Sequence, residues 1–402
     1  MLIYFVVYWQ GLLKFISMRH LVIRNLGSLV EADICLERIN IVVGPQCSGK
    51  SVLLKTASYC SWVEKRIQLS QNPDQFKENG YFAKRFVEFH KLKGYTSPDS
   101  FIMYENDSMA FSYSWKTGVF EFAWKTDRWK YVCPKVSYIP SERNIVAAIP
   151  NWFEVNMGDN NIRGFMKDWE VARSYCSEGL PILNMGVKYQ FDPNGRRDKV
   201  ILDNDEFLDF TNTSSGLQSL IPLMIYLNYL YIARFGSSTG KSVSREQEDE
   251  AVMNILYKEE FVKKGTKEDG EAVSWNGTFY QVNDKYLMFD TDEDARRFSE
   301  IFKNLTDMSV NDVFLEEPEQ NLFPPTQSVL ISNLIDFARG KHGNVLFVAT
   351  HSPYVVTSFI EGKDNSDIKL FLSQSSVDGK YVIHTASDED MQQIYDYNID
   401  VL

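Results

Sequence analysis

The 402-residue sequence predicts an α/β fold with a mostly parallel sheet. Two observations lead there. Short, continuously apolar runs, "INIVV" (39–43), "DVFLEE" (312–317) and "NVLFVATHS" (344–352), read as strands buried on both faces. Each is followed by a segment with helical apolar spacing, so strands and helices interleave. With 44% apolar and 24% charged residues the chain can build a sizeable core. Its length suggests about two to three domains.

Along the chain, residues 1–17, "MLIYFVVYWQGLLKFIS", carry one charge, Lys14. They are shorter than the about 20 apolar residues of a membrane span and lack the basic start of a signal peptide. They read as an upstream extension before a natural start at Met18, with a weak interfacial anchor as the alternative. Residues 18–144 open the core. "HLVIRNL" and "VEADICL" alternate as antiparallel strands, "INIVV" follows, and a helix is expected from Lys50 to Gln68. Further strands fill about 101–139, forming an N-terminal antiparallel β-subdomain. Residues 145–235 form a hairpin and helical lobe. Asp192-Pro193-Asn194-Gly195 supplies the hairpin turn, and Leu217–Phe235 reads as a buried helix broken by Gln218, Pro222 and Asn228. Residues 236–250 have a linker's composition, and 251–300 a small inserted element. Strand–helix alternation returns over 301–402, with a helix from Gln327 to Arg339.

A net charge of −12 argues against a surface that coats nucleic acid everywhere, while leaving room for a local basic patch. The five cysteines are scattered and form neither a disulfide framework nor a paired zinc pattern, so a reducing cytoplasm is the default.

The strongest motif is "GPQCSGKS" (44–51), which fits G-x-x-x-x-G-K-[ST] between a strand and a helix. Glycines allow backbone amides to turn around phosphates, and a helix N-terminus adds positive potential. The expected ATP contacts are Gly44, Pro45, Gln46, Cys47, Ser48, Gly49, Lys50, Ser51 and Val52. Lys50 would reach the β- and γ-phosphates and Ser51 would hold Mg²⁺. Cys47 reads as a small side chain that the loop tolerates rather than as a redox sensor. "VFLEE" ends a buried strand in Glu316 and Glu317. Pro318 biases Glu317 towards an extended backbone that would hold its carboxylate forward, where it could polarise water. A solvated acidic turn is the alternative. His351 ends another apolar strand, and "TNTSSGLQS" (211–219) leads a helix with a serine–glycine turn, a weak anion-site signal by itself.

Together these elements resemble the ABC-class ATPases, the ABC-type P-loop NTPases. "GPQCSGKS" is similar to their Walker A loop, "VFLEEPE" to Walker B, and His351 to the switch histidine. Ser214, Ser215 and Gly216 lie on the core of a divergent signature motif. "LEEPEQNLFP", "ATHSPY" and "YIPSERN" (138–144) narrow the resemblance to the OLD, RecF and SMC type, and within it to OLD-like, abortive-infection-like ATPases. The chain departs from them in lacking a Toprim domain, a long coiled coil and an obvious Q-loop glutamine. Arg143 of "PSER" is therefore a candidate for phosphate or inter-subunit contact, with an ordinary salt bridge as the equal alternative.

The resemblance implies ATP and Mg²⁺ bound at composite sites of a head-to-tail homodimer or higher oligomer. Glu316 would lie in the Mg²⁺ shell, Glu317 would be the general base, and His351 would sense the γ-phosphate. It implies a cytoplasmic, slow ATPase gating a separate effector protein, a nuclease or toxin, in prokaryotic antiviral defence, with no membrane. A DNA-repair ATPase is the alternative. For it, "WKTGVFEFAWKTDRWKYVCPK" (115–135) offers interleaved tryptophans and cations, although a hairpin with one solvated basic face explains the same pattern. The ATPase subunit of a membrane transporter is a third reading, disfavoured by the "PSER" and "PEQNLFPP" stretches.

Overall fold

The chain's apolar runs pair into an 11-stranded sheet. In a computed structural model, residues 18–149, 151–236, 243–262, 278–282, 285–340, 342–361 and 365–397 are described. The expectation for residues 1–17 lies outside them. The strands are β1 (Arg19–Leu26), β2 (Leu29–Leu36), β3 (Ile39–Val43), β4 (Phe101–Glu105), β5 (Met109–Ser114), β6 (Val119–Trp124), β7 (Pro134–Ile139), β8 (Val310–Glu316), β9 (Val345–Thr350), β10 (Ile368–Ser375) and β11 (Tyr381–Thr385). Their order is β6-β5-β4-β1-β2-β11-β10-β3-β9-β8-β7.

The sheet is mixed, which corrects the expectation of a mostly parallel one. Five neighbouring pairs are parallel and five are antiparallel. The parallel block is β10-β3-β9-β8-β7, whose connections pass through helices. The antiparallel wing is β6-β5-β4-β1-β2. It joins the same sheet through β11 rather than forming a sheet of its own. Tight turns suffice there: Gly27, at φ 60, starts the two-residue link between β1 and β2.

The central strands are buried on both faces because helices cover both. Val42, Phe314 and Phe347 face α1 (Lys50–Ser70) and α2 (Tyr81–Phe89). Ile41, Leu315 and Val348 face α3 (Asn161–Arg173) and α4 (Ser215–Asn228). That second core also takes in the helices Pro324–Arg339 and Pro353–Ile360. The apolar run from Leu217 is helical as expected, continuing past Asn228 as a wider π-type turn over Tyr229–Ala233. The hairpin around residues 192–195 pairs Asp192 with Arg197, and Asp192 Oδ1 accepts from the amides of Asn194 and Gly195.

The linker expected over 236–250 is replaced from residue 243 onward by a helix, α5 (Val243–Leu256); residues 237–242 lie outside the described part. Its polar composition hides one apolar stripe. Val252, Met253 and Leu256 are buried against Phe298 and Leu305 of α6 (Asp292–Thr306) and against Leu69 of α1. The helix α6 crosses the 300/301 boundary drawn from the sequence. Two more helices complete the main core: α7 (Pro324–Arg339) and α8 (Pro353–Ile360). Among the described residues no helix is long and apolar enough to cross a membrane.

At the edge where β8 begins, a buried polar network ties α1 to the sheet. Arg19 Nη1 pairs with Asp312 Oδ2 at 2.7 Å, and Ser61 of α1 donates to the same oxygen. Glu64, also on α1, accepts from Tyr104 and Asn106. Burial holds its carboxyl above the ordinary range, although Arg19 nearby pulls it back. Asp312→Ala should leave Arg19 buried without its counter-charge, at a cost of about 3–5 kcal/mol. Urea unfolding will measure that loss, and Arg19→Met combined with Asp312→Leu should recover part of it.

Candidate phosphate-binding and hydrolytic site

The parallel block brings the carboxyl ends of β10, β3, β9, β8 and β7 to one edge, where ligands of open α/β sheets bind. The ends are flush. Val43 of β3 lies opposite Thr350 of β9, and Ala349 lies opposite Glu316 of β8.

From β3 the chain enters the loop Gly44–Gly49. Gly49 has φ 90, and a Cβ there would stand 2.4 Å from Leu29 Cδ2; at Gly44 it would stand 2.7 Å from Ser373 Cβ. Neither position admits a side chain. Ser373 of β10 also fixes the loop by donating to the Ser48 carbonyl at 2.8 Å. No side chain caps the first turn of α1 and none of its residues is acidic, so the helix keeps its positive N-terminal potential. The Lys50 ammonium folds over the loop, donating to the carbonyls of Gly44 (2.7 Å) and Pro45 (2.5 Å). Burial lowers its pKa to about 8, with the carboxylates of Glu317 and Glu319 opposing.

Glu316 is buried, and its Oε2 accepts from the Ser141 amide at 3.2 Å. Glu317 is not extended. It has φ 42, in the left-handed region, which corrects the conformation expected from the following proline. Both of its backbone groups are committed. Its amide donates to the Ala349 carbonyl at 2.8 Å, extending the β8–β9 ladder, and its carbonyl accepts from Arg143 and from the Gln320 amide. Such strain costs about 1–3 kcal/mol and persists where surroundings over-determine it. The side chain reaches β9's exit, where Glu317 Oε1 lies 3.2 Å from His351 Nε2. That hydrogen bond holds the Glu317 carboxyl below its ordinary range, against the effect of burial.

Glu319, the third glutamate of the run, had no assigned role. Its Oε1 accepts from Thr350 Oγ1 (2.7 Å) and from the amides of His351 (2.8 Å) and Ser352 (3.2 Å). It therefore sets the course of the His351 turn. Its signal in the sequence was only its place in "EEPE".

Arg143 is fully buried, and all five guanidinium N–H groups find carbonyl acceptors: Pro140, Glu316, Glu317, Pro318 and Ser219. Burial lowers its pKa to about 10, opposed by Glu319, Glu317 and Glu316. Its donors are thus committed to carbonyls of its own chain, and among the described residues Arg143 makes no simple salt bridge, against that one of its two sequence readings.

Ser214 and Ser215 stand exposed at the N-terminus of α4, with Ser214 Oγ capping the Leu217 amide at 3.4 Å. A Cβ on Gly216 would meet the Asn321 carbonyl at 3.1 Å. Among the described residues none of the three hydrogen-bonds the Gly44–Ser51 loop. Nor does any group of three or more His, Cys, Asp or Glu side chains gather there to hold a metal. Magnesium asks for less, usually one or two protein oxygens with phosphates and water completing its shell. The Ser51 hydroxyl and the Glu316 carboxylate suit it chemically. Four of the five cations of the 115–135 segment are engaged, Lys125 with Glu105, Arg128 with Glu259, Lys130 with Asp127, and Lys135 with Asp168, while Lys116 is exposed.

No family model matches the sequence, and no curated protein is significantly similar to it. Among solved structures, the chain is similar to an SMC head domain from Thermotoga maritima, at 11% identity and TM-score 0.42, covering 92% of this chain and 100% of that one. It is similar to an SmcHead bound to the C-winged helix domain of ScpA at 10% identity and TM-score 0.43, with 94% and 99% covered. An Smc head domain with an extended coiled coil, bound to the C-terminal domain of ScpA and derived from Pyrococcus furiosus, gives 8% identity and TM-score 0.40, with 95% and 99% covered. No activity follows from likeness of this size.

Two outcomes are expected. Phosphates favour the ammonium form of a lysine, so if the loop takes a polyphosphate, binding of tripolyphosphate above a pH of about 8 should take up a proton and weaken as pH rises. Calorimetry in buffers of different ionisation enthalpy will show the uptake. Arg143→Lys offers three donors to five carbonyls, which should cost about 1–3 kcal/mol for each carbonyl left unpaired. Urea unfolding will read that loss.

Proposed function

We propose that the chain is an ABC-class ATPase that binds and hydrolyses Mg²⁺-ATP as a nucleotide-gated switch. The observation that carries this reading is one juxtaposition. Three neighbouring strands end flush, delivering a glycine-bounded phosphate loop (β3), His351 (β9) and the Glu316–Glu317 pair (β8) to one edge.

The loop amides and Lys50 bind the phosphates, with Lys50 exchanging its loop carbonyls for phosphate oxygens. Bound Mg²⁺ would neutralise phosphate charge, held by Ser51 and, through its shell, by Glu316. Glu317 orients an attacking water and accepts its proton, while His351 fixes the carboxylate and contacts the γ-phosphate side. A base whose pKa lies below the ordinary carboxylate range is ionised at neutral pH but weak. That favours a slow enzyme whose rate comes mainly from positioning.

Ser214, Ser215 and Gly216 complete the site of a second copy in this reading. The exposure of Ser214 and Ser215 at a helix N-terminus supports it, because such a terminus favours an incoming phosphate. The assembly is then a head-to-tail homodimer with two composite sites. On the resemblance to OLD-like ATPases, its output is control of a separate effector protein, a nuclease or toxin, in antiviral defence.

Glu317→Gln tests the core of this proposal. The variant should bind ATP and form an ATP-dependent dimer in light scattering, with phosphate release reduced at least about 100-fold. Undiminished hydrolysis removes Glu317 from the role of base.

A further inference from the structure

The 11-stranded sheet ends in β6 on one side and β7 on the other. A sheet edge presents unpaired N–H and C=O groups, and proteins usually guard it with proline, bulges or charge. The two edges differ. β7 opens on Pro134 and carries Lys135, paired with Asp168 of α3 at 2.9 Å. β6, "VFEFAW", has no proline, pairs with β5 without a bulge and carries one charge, Glu121.

The Lys125 amide donates to the Ser108 carbonyl at 2.9 Å, continuing the β5–β6 ladder by one residue. Ladder bonds alternate along an antiparallel strand. Val119, Glu121, Ala123 and Lys125 therefore turn their backbone groups towards β5, and Phe120, Phe122 and Trp124 turn theirs outward. Among the described residues nothing hydrogen-bonds those outward N–H and C=O groups. Side chains alternate in the same way. Glu121 and Ala123 are exposed on the open face of the sheet. Phe122 and Trp124 are half-buried against the core under α1 and α2, with their rings 4.9 Å apart.

We propose that β6 pairs antiparallel with β6 of a second copy of this chain, across a two-fold axis at Ala123. The strand is complementary to itself in that register. Phe122 of each copy faces Trp124 of the other, which closes four ladder hydrogen bonds and forms two aromatic cross-strand pairs. Glu121 of each copy stands opposite Lys125 of the other. At the axis the two Ala123 residues form a non-hydrogen-bonded pair, where Cα atoms approach to about 4.5 Å and a small side chain fits. Charge selects this register. Sliding by two residues sets Glu121 opposite Ala123 in one direction and opposite Asp127 in the other; sliding by four sets it opposite itself. The contact is isologous and closes at a dimer. Its small size puts it in the weak, transient class. β6 lies seven strands from β3, roughly 33 Å at about 4.8 Å per strand. The contact is therefore separate from the phosphate loop and does not rest on the ATPase reading.

Sedimentation of the full chain without nucleotide, over about 5–300 μM, covers the range of weak complexes. A reversible monomer–dimer equilibrium is expected. Glu121→Lys and Lys125→Glu should each raise its dissociation constant at least about tenfold, because like charges then stand directly opposite. The double variant reverses both signs and should return the dimer to wild-type strength. Ala123→Lys should leave only monomer. Should a charge variant fail to fold, cross-linking gives an independent readout. With the exposed Cys35 and Cys47 replaced by serine, Ala123→Cys should form a disulfide between copies on mild oxidation. The proposal is overturned if the wild type stays monomeric throughout, which leaves the edge to another protein or to none. It is equally overturned if the dimer forms only with ATP, if either charge reversal leaves it intact, if the double variant does not restore it, or if Ala123→Cys does not cross-link.

Discussion

The candidate site hangs on the guanidinium of Arg143. One buried cation holds the carbonyls at the exits of β7 and β8 and a carbonyl in the first turns of α4. A planar group with five divergent donors can join three chain segments at a point where no regular ladder could. A buried charge is tolerable only when paired or thoroughly hydrogen-bonded. Here five carbonyl dipoles perform that task, with the Glu316, Glu317 and Glu319 carboxylates adding favourable charge. The strained backbone of Glu317 follows from this grip. Its carbonyl is held by Arg143 on one side while its amide completes the ladder to β9 on the other.

The same cluster governs the charges that would meet a nucleotide. Lys50 is partly desolvated by its loop and supported by Glu317 and Glu319. Glu317 is set against His351, whose own turn is fixed by Glu319. Glutamates 316, 317 and 319 therefore divide the work. The first bonds the Ser141 amide of the β7 exit, the second faces the histidine, and the third shapes the loop carrying that histidine. In the proposed reading, an incoming polyphosphate would meet positive potential at α1 and a carboxylate beyond it.

At the opposite edge, the Arg19–Asp312–Ser61 contacts fasten α1 to β1 and β8. The helix that begins at the phosphate loop is thus anchored beyond its midpoint. The antiparallel wing and the lobe built by α5 and α6 extend from this frame, and the lobe's small aromatic core reaches back to Leu69 at the end of α1.

The sequence by itself determined what depends on neighbouring residues. The glycine-bounded loop 44–49, the apolar strands, the helix from Lys50 and the hairpin at Asp192–Gly195 rest on local patterns, and each stands at its expected position. What only the tertiary structure decided depends on residues far apart in the chain. The mixed sheet arises because β11 pairs with β2, a choice no local pattern encodes. Glu317 left the extended region because Ala349 and Arg143 hold it, overriding the weak preference imposed by Pro318. Arg143 became an internal strut because its acceptors come from residues 140, 219 and 316–318. The segment after residue 243 became a helix because one sparse apolar stripe found Phe298 and Leu305. Burial and partner geometry are sums over distant segments, and local composition carries little record of them.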